Sequence, residues 1–194
     1  MGNRVEPIRS KTKIKEIKKM LLSKKKWRDY VLFVCGINFG LRIGDLLKLR
    51  IKDVIDSSKN VRDNFEIVEQ KTGKRNTIKI NQEAVKAIEL LTDKTLVTAN
   101  MNNYLVYNTR DCSKSISRVQ AYKLVRKWCR QVGIIEEAIG THTLRKTWGY
   151  HAHKQGISIA VIQAKYKHSS VKTTRHYLGI EQKDVDEAYD KVKL

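Results

Sequence analysis

The chain has one proline, Pro7, so beyond the first residues nothing breaks a helix or a ladder for want of a backbone N–H. Its three cysteines, Cys35, Cys112 and Cys129, are odd in number, far apart and without a C-x-x-C pair. That excludes a disulfide framework and a structural zinc site, and points to reduced thiols in a cytoplasmic protein. Long apolar runs are missing as well. The longest, from Tyr30 to Phe39, is about half of what a membrane span needs. The opening MGNRVEPIRSK lacks the apolar stretch of a secretory signal, and Val5 and Glu6 after Gly2 do not fit the usual myristoylation pattern. No carboxylate cluster suits a metal, and His151 and His153, two apart, would face different sides of a helix. The expectation is therefore no metal, no cofactor and no membrane.

Acid is the scarcest charge. Twenty Asp and Glu face forty Lys and Arg, a formal net charge of +20 on 194 residues. A chain so charged repels itself, and a polyanionic partner is the natural compensation. Nucleic acid leads and an anionic membrane follows. The basic residues are spread along the whole chain and not gathered on one amphipathic helix, which disfavours the membrane. A solvated lysine-rich surface is the plain alternative, since lysines outnumber arginines 27 to 13, but it does not account for the shortage of acids. The sequence also lacks the aromatic-rich strands on which RNA modules stack bases. At 41% hydrophobic residues the chain has enough apolar material for a core.

Periodicity predicts a mainly α domain with a small antiparallel β-sheet, an α+β fold. A helix is expected over Lys13 to Leu22 with Thr12 as its N-cap, and an almost wholly apolar, central one over Trp27 to Phe39. A short helix could follow Arg42 as far as Leu49. Ile51 to Ile55, Phe65 to Glu69 and Asn76 to Ile80 read as strands, the last two forming a hairpin around QKTGKR with Gly73 in the turn. Asn81 caps a helix, and Ser117 with Gln120 makes a capping box for another that Gly133 stops. His142 to Gln155 is helical by composition and ends at Gly156. Two short helices and a C-terminal one over Gln182 to Val192 complete the chain. The expected division is an arm over 1–11, a catalytic domain over 12–180 and a C-terminal helix over 181–194.

Groups suited to phosphate chemistry recur in a fixed order. Arg42 follows the apolar helix, Lys71 sits in the hairpin turn, His142 and Arg145 share a helix face, and His168 precedes Tyr177 by nine residues. Each alone is a weak signal. Together, through "GLRIGDLLKL", "VEQKTGKRNTIKI", "THTLRKT" and "KHSSVKTTRHY", they resemble the tyrosine recombinase (phage integrase) family, from about Thr12 to the end. The resemblance implies the catalytic-domain fold of that family and a site-specific recombinase that cuts and rejoins DNA through a 3′-phosphotyrosine. Tyr177 would be the nucleophile, Arg42 and Arg145 phosphate clamps, Lys71 the acid for the leaving 5′ oxygen, His142 a base or relay, and His168 a phosphate ligand. Asp45 would orient an arginine. The chemistry fits these types: forked guanidiniums match a phosphate, and a positioned base helps a phenol that ordinarily ionises near pH 10.

The sequence departs from the family pattern in two places. The Leu-Gly usual before the second histidine is Tyr166-Lys167 here, which could alter the turn that aims His168 or add a phosphate contact. Lys74 rivals Lys71, although Lys71 has the better K-T-G setting. The family's usual core-binding domain has no room before Arg42, so the chain is either an excised catalytic domain or a minimal recombinase resembling the short fimbrial-switch invertases in length. A type IB topoisomerase and a silent DNA-binding regulator remain alternatives; the former commonly carries lysine where His142 stands. The resemblance implies double-stranded DNA as partner, a monomer when free, a tetramer on paired sites, and accessory DNA-bending or directionality proteins. It also implies a phage or mobile-element setting in a bacterial cytoplasm or nucleoid. The C-terminal helix would dock on a neighbouring protomer or on its own domain.

Overall fold

The structure is a computed structural model that describes residues 5–134 and 139–180 together with positions 186, 189, 190 and 192. It divides into two compact units, residues 1–148 and 149–194. In the first, α1 (Lys11–Ser23) leads to α2 (Trp27–Phe39), the short α3 (Ile43–Leu46) and α4 (Ile51–Val54), and a hairpin of β1 (Asn64–Val68) and β2 (Arg75–Lys79). There follow α5 (Gln82–Lys94), a single 3-10 turn, a second hairpin of β3 (Tyr107–Asn108) and β4 (Asp111–Ser115), α6 (Arg118–Gln131) and the start of α7 (Thr143–Lys154). The second unit holds the rest of α7, α8 (Ile159–Tyr166) and α9 (Val171–Leu178).

The predicted central helix is central. α2 packs between α1 and α5, and Val31 to Cys35 are buried without a break, as its all-round apolar sequence requires. Phe33 meets Trp128 of α6 edge to face at 6.0 Å, and Phe39 meets Phe65 of β1 at 5.2 Å, so helices and hairpin share one core. The first hairpin has the expected antiparallel register, Asn64 opposite Lys79 and Val68 opposite Arg75. The Asn81 cap and the Ser117–Gln120 capping box both form.

Three expectations need correction. α1 begins at Lys11, and its cap is Ser10 instead of Thr12; the Ser10 hydroxyl accepts from Lys13 N at 3.2 Å. Ile51 to Ile55 is a helical turn and not a strand. Asp53 accepts from Arg50 N at 2.7 Å and closes the turn, while Ile51, Val54 and Ile55 all reach the core. The β-branched residues that suggested a strand serve burial instead. The β3–β4 hairpin was not expected, because DCSKS has no apolar alternation to reveal a strand. The helix expected over 182–192 lies, apart from isolated positions, outside the described residues. Cys35 and Cys129 are buried free thiols, and burial pushes Cys129 up to about 12, leaving it inert.

α7 lies close on α2 because Gly36 has no side chain: a Cβ there would come within 2.5 Å of Leu144 Cδ1. Gly36→Ala is therefore expected to push α7 away and to cost about 1–3 kcal/mol, read as a lower urea midpoint at unchanged slope.

Candidate active site

α2 ends at Gly40, whose left-handed φ of 59° turns the chain sharply, and Arg42 becomes the residue that opens α3. Its guanidinium is held from the neighbouring hairpin. Arg42 Nη1 donates to Glu69 Oε2 at 2.5 Å, and the Glu69 side chain is wholly buried. Asn76 Nδ2 donates to the other carboxylate oxygen at 3.0 Å, and Thr72 Oγ1 to the first at 3.2 Å. Burial pushes the Glu69 pKa up, but the hydrogen bonds from Arg42 and Asn76, with the charges of Arg42 and Arg145, outweigh it and hold the carboxyl below its ordinary value.

The loop that carries Lys71 is closed by main-chain bonds from Glu69 N to Lys74 O at 3.0 Å and from Gly73 N to Glu69 O at 2.8 Å. Gly73 takes a left-handed φ of 65° there, as the sequence suggests. A second tether comes from α3. Asp45 Oδ1 accepts from Gln70 N at 3.0 Å, while its buried Oδ2 has no hydrogen-bond partner. Asp45 thus meets a backbone amide where an arginine was expected, and the acid on Arg42 is Glu69.

His142 and Arg145 come from the entry to α7. Thr143 Oγ1 accepts from Gly140 N at 3.1 Å and closes the turn that precedes the helix. Arg145 is almost completely buried, and its Nη1 donates to Gly40 O at 2.7 Å, binding it to the same turn that places Arg42. His142 stays accessible, yet its pKa is lowered. Partial desolvation of the ring is the largest cause, followed by the positive charges of Arg145, Arg42, Lys146 and Lys71.

Arg42, Lys71 and His142 line one open cleft of about 480 Å³, with Asp45, Gln70, Thr141 and Arg118 among its other walls. Lys74 is not among them, which separates it from Lys71. Arg118 and Glu69 were missed by sequence reasoning. Arg118, the first residue of α6, lies over Gly44, where a Cβ would sit 2.6 Å from its Nη2, and donates to Gln70 Oε1 at 2.6 Å. The capping box already placed Arg118 at a helix start, but gave no hint that this start reaches the cleft.

His168 and Tyr177 belong to the second unit. They form a triangle of rings with Tyr166, whose centroids lie 5.1 to 5.3 Å apart. Tyr166 is fully buried beside Gly149, where any side chain would run into its hydroxyl and into Leu178. Lys167 keeps the turn that a glycine would make, at φ 54° and ψ 33°. Its N–H donates to Ala164 O at 3.1 Å, His168 N donates to Gln163 O at 3.2 Å, and Gln163 Nε2 donates to His168 O at 3.2 Å. His168 Nδ1 lies 3.1 Å from Thr174 Oγ1.

A mostly helical fold with two small antiparallel sheets among the described residues is shared with tyrosine recombinases of solved structure. The XerA recombinase aligns with a TM-score of 0.73 at 23% identity, over 96% of this chain and 63% of that one. The XerH site-specific recombinase bound to palindromic difH substrate, a post-cleavage complex, aligns at 0.76 and 17%, over 97% of this chain and 53% of that one. The sequence pattern of the phage integrase family matches residues 10–183, and the chain belongs to that family of tyrosine-type recombinases. The probable integrase/recombinase YoeC of Bacillus subtilis strain 168 is 42% identical over 185 residues, 95% of each chain. Tyrosine recombinase XerA of Pyrococcus horikoshii is 30% identical over 182 residues, 92% of this chain and 60% of the relative. The chain therefore spans nearly all of one relative and about three fifths of the other.

Two predictions follow from these contacts. Glu69→Gln leaves Arg42 without its buried counter-charge and is expected to cost about 3 kcal/mol at neutral pH. Wild type should keep that advantage above the ordinary carboxylate pKa of about 4.3 and lose it as pH falls through the lower folded value, so chemical denaturation of the two proteins should converge in acid. Lys167→Gly relieves a left-handed lysine and should raise stability by up to about 1 kcal/mol, offset by the freer unfolded glycine.

Proposed function

We propose that this chain is a site-specific DNA recombinase that breaks and rejoins strands through a 3′-phosphotyrosine at Tyr177. The observation that carries the reading is the single cleft lined by Arg42, Lys71 and His142, backed by buried Arg145, on a chain of net charge +20. Double-stranded DNA is the substrate, and its backbone charge answers that of the protein.

In the proposed reaction the Tyr177 phenolic oxygen attacks phosphorus and the bond to the 5′ oxygen breaks. The phenolic proton passes to His142, whose lowered pKa keeps it neutral and able to accept. Arg42 and Arg145 stabilise the charge that builds on the non-bridging oxygens, and His168 adds a hydrogen bond. Lys71, carried at the hairpin tip, gives a proton to the departing 5′ oxygen. The phosphotyrosine ester conserves the bond energy, so a 5′ hydroxyl from another strand can reverse the step without ATP. Asp45 and Glu69 do no chemistry; they hold the Lys71 loop and Arg42. Exchange between strands requires paired sites, for which the proposed assembly is a tetramer.

The test uses nicked duplexes cut from DNA flanking the encoding gene, so that the short cleaved piece diffuses away. A covalent protein–DNA band on a denaturing gel, present for wild type and abolished by Tyr177→Phe, is expected. A band of equal strength in Tyr177→Phe would overturn the nucleophile, and DNA binding without a band on any duplex would overturn cleavage by this chain.

A further inference from the structure

Thr174 was given no role by the sequence. It sits on α9, three residues before Tyr177, and is completely buried. Its hydroxyl meets two groups. Oγ1 donates to Ser170 O at 3.3 Å, and the same oxygen lies 3.1 Å from His168 Nδ1. A hydroxyl has one proton to give and can accept in return. If that proton goes to Ser170 O, both contacts are hydrogen bonds only when His168 Nδ1 carries a proton and donates it to Oγ1. If the hydroxyl turned towards Nδ1 instead, the bond to Ser170 O would be lost and one hydrogen bond would remain of two. For a buried group the fuller arrangement wins. Back-bonding to the carbonyl four residues earlier is also what a helical threonine does.

We propose that Thr174 is a positioning residue that fixes the His168 proton on Nδ1, so that Nε2 is the ring nitrogen that meets the phosphate and gains or loses a proton there. This rests on the reading of His168 as a phosphate ligand. The neutral ring then offers a lone pair at Nε2, and only the imidazolium offers N–H. The backbone around His168 fits a ring held in one pose. The Lys167 turn is bonded through Ala164 O and Gln163 O, the Gln163 side chain reaches His168 O, and the Tyr166 and Tyr177 rings flank the imidazole at 5.1 and 5.2 Å. The hydroxyl of Thr174 decides which nitrogen faces inward to the helix and holds the permanent proton.

The experiment records ring 15N shifts of the full chain labelled at histidine, in alkaline buffer where histidine is ordinarily neutral. His168 is assigned by its loss in His168→Gln. Wild type and Thr174→Ser are expected to show a pyrrole-like Nδ1 and a pyridine-like Nε2. Thr174→Val, which keeps the shape without the hydroxyl, is expected to mix or reverse the two tautomers and to lower covalent-complex formation by about tenfold, with Thr174→Ser restoring it. A protonated Nε2 in the neutral wild type, or a pattern that Thr174→Val leaves unchanged, overturns the role of Thr174. A changed tautomer with undiminished covalent complex overturns instead the assignment of His168 to the phosphate.

Discussion

The buried ion pair between Arg42 and Glu69 organises the first unit. A carboxylate without solvent contact is unfavourable unless its lone pairs are taken up, and here Arg42, Asn76 and Thr72 take them up. Those three donors come from the start of α3, the far strand of the hairpin and the hairpin loop. One acid therefore joins the turn after α2 to the loop that carries Lys71. The Asp45 bond to Gln70 N makes the connection twice, with both carboxylates set on the same short stretch of chain. The position of Lys71 relative to Arg42 is thus a consequence of satisfying Glu69.

The same pair changes the electrostatics of the cleft. Arg42, Arg145, Lys71 and Lys146 all act on His142, and each makes its protonation harder. A buried negative charge at Glu69 offsets part of that field at the guanidiniums while leaving it felt at the imidazole. Arg145 is held differently, nearly buried and bonded to the Gly40 carbonyl, and that bond fixes one edge of its guanidinium within the fold. A cationic site assembled in advance needs no reorganisation when charge develops, and preorganisation of this kind is where most of the stabilising effect of such a site resides.

Much of this was legible in the sequence, and the misses have identifiable causes. The central helix, the first hairpin, its Gly73 turn and the two helix caps depend on local chemistry and could be read directly. The strand expected at Ile51 to Ile55 failed because β-branched residues mark burial as well as strand, and the second hairpin was hidden because its residues are polar. Arg42, Lys71, His142 and Arg145 carried a recognisable spacing. Glu69 had no such marker, yet the strand period contains it. Phe65, Ile67 and Glu69 alternate onto the inward face, and Asn76, Ile78 and Ile80 do the same on the return strand. An acid and an amide placed inward among apolar residues, two positions before Lys71, is a readable sign of a buried polar partner. The partner of Asp45 was not readable, because a side-chain bond to a backbone amide leaves no trace in residue identity.

The replacement of glycine by Lys167 shows how the second unit tolerates a departure from the family pattern. A left-handed lysine costs of order 1 kcal/mol and persists only where its surroundings over-determine the turn. Here two main-chain bonds close the helix end, and Gln163 binds the carbonyl of the next residue from the side. Tyr166, in place of the usual leucine, fills the space beside Gly149 and presents its ring to both His168 and Tyr177. The larger aromatic and the strained lysine thus act on the same histidine, one through its ring and the other through its backbone. A glycine would reach this turn without strain; here the two main-chain bonds, the Gln163 amide and the Tyr166 ring hold the left-handed lysine and the histidine after it in place.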